Sequence, residues 1–175
     1  NELAVDLPST LGTIGRVSAI KTVRVAGRLF LQADRIGQPP VLIDAGDGRL
    51  VSSIDEATAR VVADHDFTGA ARVVAAELAT DTSTEYRGAL PVWRIRFNDP
   101  RDTTIYVSPA SGQVVARRND IWRLYDFFWM LHIMDYKERV DFNHALLIGA
   151  SALALLLAAT GFWLLFYRVR VNLRR

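Results

Sequence analysis

Three patterns of apolar and polar positions divide this chain. From Ala145 to Phe166, ALLIGASALALLLAATGFWLLF, 22 positions pass without a charge. At about 1.5 Å per residue such a helix is roughly 33 Å long, the thickness of a bilayer's hydrocarbon core, so the run predicts one transmembrane helix. Just upstream, Asp120 to Tyr136 reads as a helix in which Trp122, Tyr125, Phe127, Phe128, Trp129, Met130, Leu131, Ile133 and Met134 leave almost no polar face. Earlier in the chain the period changes to two. Trp93, Ile95 and Phe97 share one side while Arg94 and Arg96 share the other, the alternation of a half-buried antiparallel strand.

That alternation occurs twice. Arg28 to Val51 aligns without gaps on Val92 to Val115 at an offset of 64 residues, placing Leu29 on Trp93, Leu31 on Ile95, Ala33 on Phe97, Val41 on Ile105, Ile43 on Val107, Gly48 on Gly112 and Leu50 on Val114, so that Leu29 and Trp93 are expected to face equivalent cores. Each copy reads strand, polar turn, strand, glycine turn, strand. Two copies are too few for a solenoid and predict a pair of related small folds packed together. Between them a helix is expected, with Ser53 as N-cap and Glu56 completing a capping box, followed by a strand over Ala71 to Ala79. Val17 to Val25 supplies the leading strand of the first copy. A helix belonging to that copy would fall upstream of, or be degenerate within, Asn1 to Thr13.

Charge adds an orientation. The first 143 residues carry 17 Lys and Arg against 19 Asp and Glu, whereas the last 32 carry Arg168, Arg170, Arg174 and Arg175 and no acid. The positive-inside tendency puts the C-terminus in the cytoplasm and everything before Asn143 across the membrane. We therefore expect a signal peptide or a first transmembrane helix ahead of Asn1. Ala150, Ala154, Ala158 and Gly161 put small residues along one face of the span, where another helix could approach closely. The upstream part shows no basic stripe of the kind nucleic acid demands, so no nucleic-acid partner is expected. With no cysteine, a disulfide framework, thiolate metal sites and cysteine nucleophiles are excluded.

Candidate chemistry is sparse. His132 falls inside the aromatic helix and His144 opens the span. Histidines near a membrane can ligate haem, with the second ring nitrogen fixed by an acceptor; the alternative is that His132 bonds a carbonyl or acid at the membrane edge. Asp64-His65-Asp66 reads as a solvated helix end, since three adjacent residues do not converge on one ion. Asp126, Asp135, Glu138 and Asp141 lie near Lys137 and Arg139 as a solvated or headgroup-level cluster. No glycine-rich phosphate loop, GxSxG or HExxH occurs. Trp122, Tyr125, Phe128 and Trp129 fit an interfacial belt or a partner-docking surface, and both stay open at this point.

The SxxE-led helix, then PVWRIRF, then TIYVSPASGQVV resemble the PepSY domain, with Ser108-Pro109-Ala110-Ser111-Gly112 standing where that family's last hairpin has its turn. The run RLYDFFWMLHIMDYKERVDFNHALL resembles the juxtamembrane segment of PepSY-associated transmembrane proteins. The resemblance implies a periplasmic α+β module of one helix on a short antiparallel sheet, held by one or two transmembrane helices; with the patterns above, the expected fold is α+β, small antiparallel-sheet PepSY-like periplasmic modules with an interfacial helix and a C-terminal transmembrane helix. The corresponding division is residues 1–52 as a first, degenerate strand unit, 53–118 as the PepSY domain, 119–143 as the juxtamembrane helix and turn, 144–167 as the span and 168–175 as the cytoplasmic tail. The expected setting is the bacterial inner membrane, and three functions of different class are considered: the first is our leading reading, and the other two are those to which the resembled family is linked. The first is a noncatalytic accessory subunit that contacts the bilayer and a membrane-protein partner and carries no cofactor. The second is electron transfer through haem b, with His132 and His144 as ligands, akin to ferric-siderophore reductases. The third is periplasmic protease regulation. Fold analogy does not choose among them.

Overall fold

A computed structural model of the chain describes residues 14–136 and 145–173. It divides into two units, Asn1–Ile121 and Trp122–Arg175. The first is α+β. Strands β1 (Val17–Val25), β2 (Arg28–Arg35), β3 (Val41–Asp44) and β4 (Leu50–Val51) form one antiparallel sheet in chain order. Helix α1 (Glu56–Asp66) follows, and β5 (Val73–Ala79), β6 (Val92–Phe97), β7 (Thr104–Val107) and β8 (Val114–Arg118) form a second sheet, also in chain order.

The 64-residue offset survives in the pairing, with one displacement. Ile43 opposes Leu50, and their counterparts Val107 and Val114 oppose each other in turn. In the preceding hairpin Leu31 opposes Ile43, whereas Ile95 opposes Ile105 and Trp93 opposes Val107, a slip of two residues. A slip of two keeps every side chain on its own face; a slip of one would have turned the strand over.

The two sheets use their faces differently. Ile95, Phe97, Ile105 and Val107 pack with Ala59 and Ala63 of α1 in one core. Their aligned counterparts Leu31, Ala33, Val41 and Ile43 instead form a separate cluster with Ile14 and Val17. The first sheet enters the α1 core through its other face, by Val25, Phe30 and Leu42. Both of its faces are therefore apolar, and Phe30 to Ala33 and Val41 to Asp44 are buried without a break.

Helix α1 starts later than its sequence suggests. Asp55, not Ser53, is the N-cap: its Oδ1 accepts from the Thr58 backbone N–H at 2.9 Å. Ile54 is held out of the helix from both sides, donating its N–H to Pro109 O at 2.8 Å and accepting the Trp93 indole N–H at 3.1 Å. Those tertiary bonds leave Ser53 Oγ bonded to the Ile54 carbonyl at 3.3 Å, away from any helical N–H. At the other end Phe67 turns extended, donates to Ala63 O and stacks on Phe97 with ring centroids 4.3 Å apart.

Two turns join the halves. Ala26 and Gly27 both take positive φ, 49° and 80°, as a two-residue hairpin with right-handed strand twist requires. Gly112, at φ 64°, closes the β7–β8 turn by donating to Ser108 O at 2.8 Å. Between β5 and β6 the chain makes a longer excursion over the sheet's other face. There Tyr86 stacks on Tyr106 at 4.8 Å and donates its hydroxyl to Ala89 O.

In the second unit, α2 (Asp120–Ile133) ends three residues before the expected Tyr136, because Met134 takes φ 57° and leaves the helical track. Helix α3 (Ala145–Asn172) has 28 residues and carries on past the uncharged run through Arg168 and Arg170. It is long and apolar enough to cross a membrane, with a mean hydropathy of 2.1 over an 18-residue stretch.

Candidate functional site

An α-helix advances about 100° per residue, so Ile121, Leu124, Tyr125, Phe128 and Leu131 fall within one sector of about 120° on α2. All five are exposed, from 41% at Leu131 to 63% at Tyr125. Away from the stripe Trp122, Arg123, Asp126, Trp129 and Met130 are half-buried and Ile133 is buried, while Phe127, just beyond the stripe's edge, is exposed at 46%. Ring contacts lie along the boundary, with Tyr125 and Trp129 stacked at 6.3 Å and Trp129 and His132 at 6.1 Å.

The four aromatic residues expected to act together are thus divided. Tyr125 and Phe128 lie in the exposed stripe, whereas Trp122 and Trp129 belong to the half-buried face. Sequence reasoning passed over Ile121 and Leu124, although their spacing to Tyr125 and Phe128 (i, i+3, i+4, i+7) was legible.

On α3, Ala150, Ala154, Ala158 and Gly161 fall within one sector of about 80°. A β-carbon placed on Gly161 would meet nothing within 4 Å, so this face is open to a neighbour. Thr160, the polar side chain at mid-helix, returns its hydroxyl to Leu156 O at 2.6 Å, which satisfies it without water.

His132 is exposed at the C-terminal end of the stripe. His144 lies outside the described residues. Among the described residues of α2 and α3, His132 is the sole imidazole, and so the one histidine ligand these two helices could offer haem. No group of three His, Cys, Asp or Glu among the described residues is placed to hold a metal ion. Asp126 and Asp135 of the acidic cluster are half-buried, and Glu138 and Asp141 lie outside the described residues.

In the first unit the charged groups act as structural ties. Asp66 at the end of α1 takes a bidentate pair from Arg117 of β8, which raises the Arg117 pKa and accounts for one acid of the Asp64-His65-Asp66 run. Arg94 and Glu77 pair across β5 and β6 at opposed positions. A cleft of about 320 Å³ opens between the first sheet and the start of α1, lined by Phe30, Asp44, Arg49, Asp55 and Thr58. Within it Asp44 is committed to Arg28 and to the Gly46 N–H.

Comparison of the chain with protein-family models, with curated proteins and with solved structures returned no match.

Proposed function

We propose that the chain is a membrane-anchored, extracytoplasmic interaction module of the PepSY type, serving as a noncatalytic accessory subunit of a membrane-protein complex. The observation that carries this reading is α3, a 28-residue apolar helix, exposed along nearly all its length, that follows a separately packed α+β unit. In water such a surface is strongly unfavourable; in hydrocarbon it is the ordinary state. The PepSY assignment is supported by element order, since α1 is followed by four antiparallel strands, with its buried face on the sheet those strands form. Arg168, Arg170, Arg174 and Arg175 favour a cytoplasmic C-terminus, and the setting is the bacterial inner membrane with the first unit in the periplasm. The partner would be another membrane protein or a further transmembrane helix, packed against the face of Ala150, Ala154, Ala158 and Gly161.

Single cysteines at Ser83 and Asn172, in a chain that otherwise has none, test the topology with a membrane-impermeant reagent in intact cells whose outer membrane is permeable to it. Labelling at 83 and protection at 172 is the expected result; labelling at 172 reverses the orientation. Purification from native membranes tests the rest. A stoichiometric membrane-protein companion and a colourless sample support the accessory reading. A reduced-minus-oxidised b-haem signal abolished by His132→Ala, with the complex intact, replaces that reading with electron transfer.

A further inference from the structure

The exposed stripe of α2 must be covered by something in the anchored chain, because five large apolar side chains, each 41% to 63% exposed, share one sector and each gains by leaving water. Two observations select the cover. The first is tether length: α2 ends at Ile133 and α3 begins at Ala145, so residues 134–144 are all that separates them. Even fully extended, that connection spans at most about 40 Å, so α2 can never leave the vicinity of the surface through which α3 enters. A tethered helix meets that surface at an effective concentration in the millimolar range, against which any diffusing partner must compete.

The second is the chemistry of the stripe. Ile121, Leu124, Phe128 and Leu131 supply aliphatic and aromatic bulk, and Tyr125 adds a ring with a polar tip. Arg123 and Asp126 fall on the other side of the helix. The stripe therefore suits the boundary between headgroups and acyl chains and has no lysine or arginine with which to recognise anionic headgroups.

We propose that α2 lies flat on the extracytoplasmic surface of the bilayer, with Ile121, Leu124, Tyr125, Phe128 and Leu131 inserted at the headgroup–acyl boundary. This rests on the reading of α3 as the bilayer anchor. Insertion is driven by apolar burial, so it is independent of anionic lipid and of salt.

The test uses the full chain in liposomes of phosphatidylcholine with no other protein, labelled with an environment-sensitive fluorophore at one cysteine per variant: Leu124→Cys, Phe128→Cys, Met130→Cys on the opposite face of α2, or Leu157→Cys in α3. Lipids brominated near the headgroup should quench the labels at 124 and 128, and should leave the label at 130 largely unquenched. Lipids brominated near the bilayer centre should quench the label at 157. Adding salt or anionic lipid should leave the quenching at 124 and 128 unchanged. Quenching at 157 without preferential quenching at 124 and 128 rejects the interfacial placement and leaves the anchor standing. Loss of quenching at 157 rejects both. Quenching at 124 and 128 that requires anionic lipid and vanishes in salt rejects apolar insertion. Shielding of those labels from an aqueous quencher without lipid quenching assigns the stripe to a second copy of the chain, and overturns the proposal.

Discussion

The side chain of Val25 fills the position that a β-carbon on Gly112 would need: such an atom would stand 2.6 Å from Val25 Cγ1. Val25 is 1% exposed at the end of β1, and Gly112 closes the turn before β8. This contact joins the two sheets turn to turn. Gly112→Ala should therefore destabilise the first unit doubly, through a left-handed backbone that costs about 1–2 kcal/mol and through overpacking that adds about 1–3 kcal/mol. Gly27→Ala supplies the comparison, since its φ is 80° but nothing lies within 4 Å of the added carbon. Urea denaturation should show the larger loss at Gly112, and Val25→Ala in that background should recover part of the difference.

Trp93 and Arg94 are neighbours in sequence and opposites in consequence. Trp93 packs against the α1 core and donates its indole N–H to Ile54 O, whereas Arg94 is an exposed partner of Glu77. Trp93→Ala should cost about 3 kcal/mol, and Arg94→Ala less than about 1 kcal/mol. Equal losses in chemical denaturation would show that β6 presents its other face to the helix.

Acid should loosen the fold through carboxyls held below their ordinary value. The Asp34 carboxyl is lowered by the Gln32 hydrogen bond, and the Asp55 carboxyl by bonds from the Thr58 hydroxyl and N–H. At Asp99 desolvation pushes upward but is outweighed by hydrogen bonds, chiefly from Thr103. A depressed carboxyl contributes its full stabilisation above the ordinary value of 3.8 and loses it as pH falls through the folded value. The midpoint of thermal unfolding should thus be insensitive to these groups above pH 3.8 and fall below it. Asp55→Asn, which keeps a capping oxygen, should flatten part of that fall. Ser53→Ala should change neither the midpoint nor its pH dependence.

Alkaline pH acts on a different pair. Burial raises the pKa of Tyr86 and, more fully enclosed, of Tyr106 above the ordinary 10.0. Groups held neutral in this way contribute stability that is complete below 10.0 and is lost as pH rises through the folded values. Absorbance titration of phenolate should show two tyrosines ionising late and together with unfolding, and Tyr86→Phe should leave one.

The open small-residue face of α3 should matter for assembly and not for insertion. Ala154→Ile and Gly161→Ile add bulk where a neighbouring backbone would approach, and both preserve apolar character. Carbonate extraction should find both variants still in the membrane pellet, while recovery of the companion protein falls. Unchanged recovery would move the partner contact off this face.

How much was legible depended on whether local pattern alone decided the outcome. Helix α3 needs only length and lack of charge, and both are written between Ala145 and Phe166. From Trp93 to Phe97 strand β6 turns its apolar residues to the α1 core and leaves Arg94 and Arg96 exposed, so its alternation is clean there. In β2 the residues Phe30 to Ala33 are buried on both faces, and alternation disappears with the polar side that would have marked it. The start of α1 departs from its local Ser53–Glu56 signal because Pro109 and Trp93, far away in sequence, hold Ile54 out of the helix. In α2, aromatic residues on every side hid the distinction between Phe128 and Trp129. Only their unequal exposure separates the stripe from the covered face.

The inverted use of the two sheets makes the internal similarity indivisible. A fragment beginning at Ser53 would keep α1 and the second sheet yet lose Val25, Phe30 and Leu42 from the core around Ala59 and Ala63. Conversely, a fragment ending at Ser52 would carry those three side chains with no helix to receive them. The pair should therefore melt as one body, and a proteolytic nick near Ser53 should be felt on both sides of the cut.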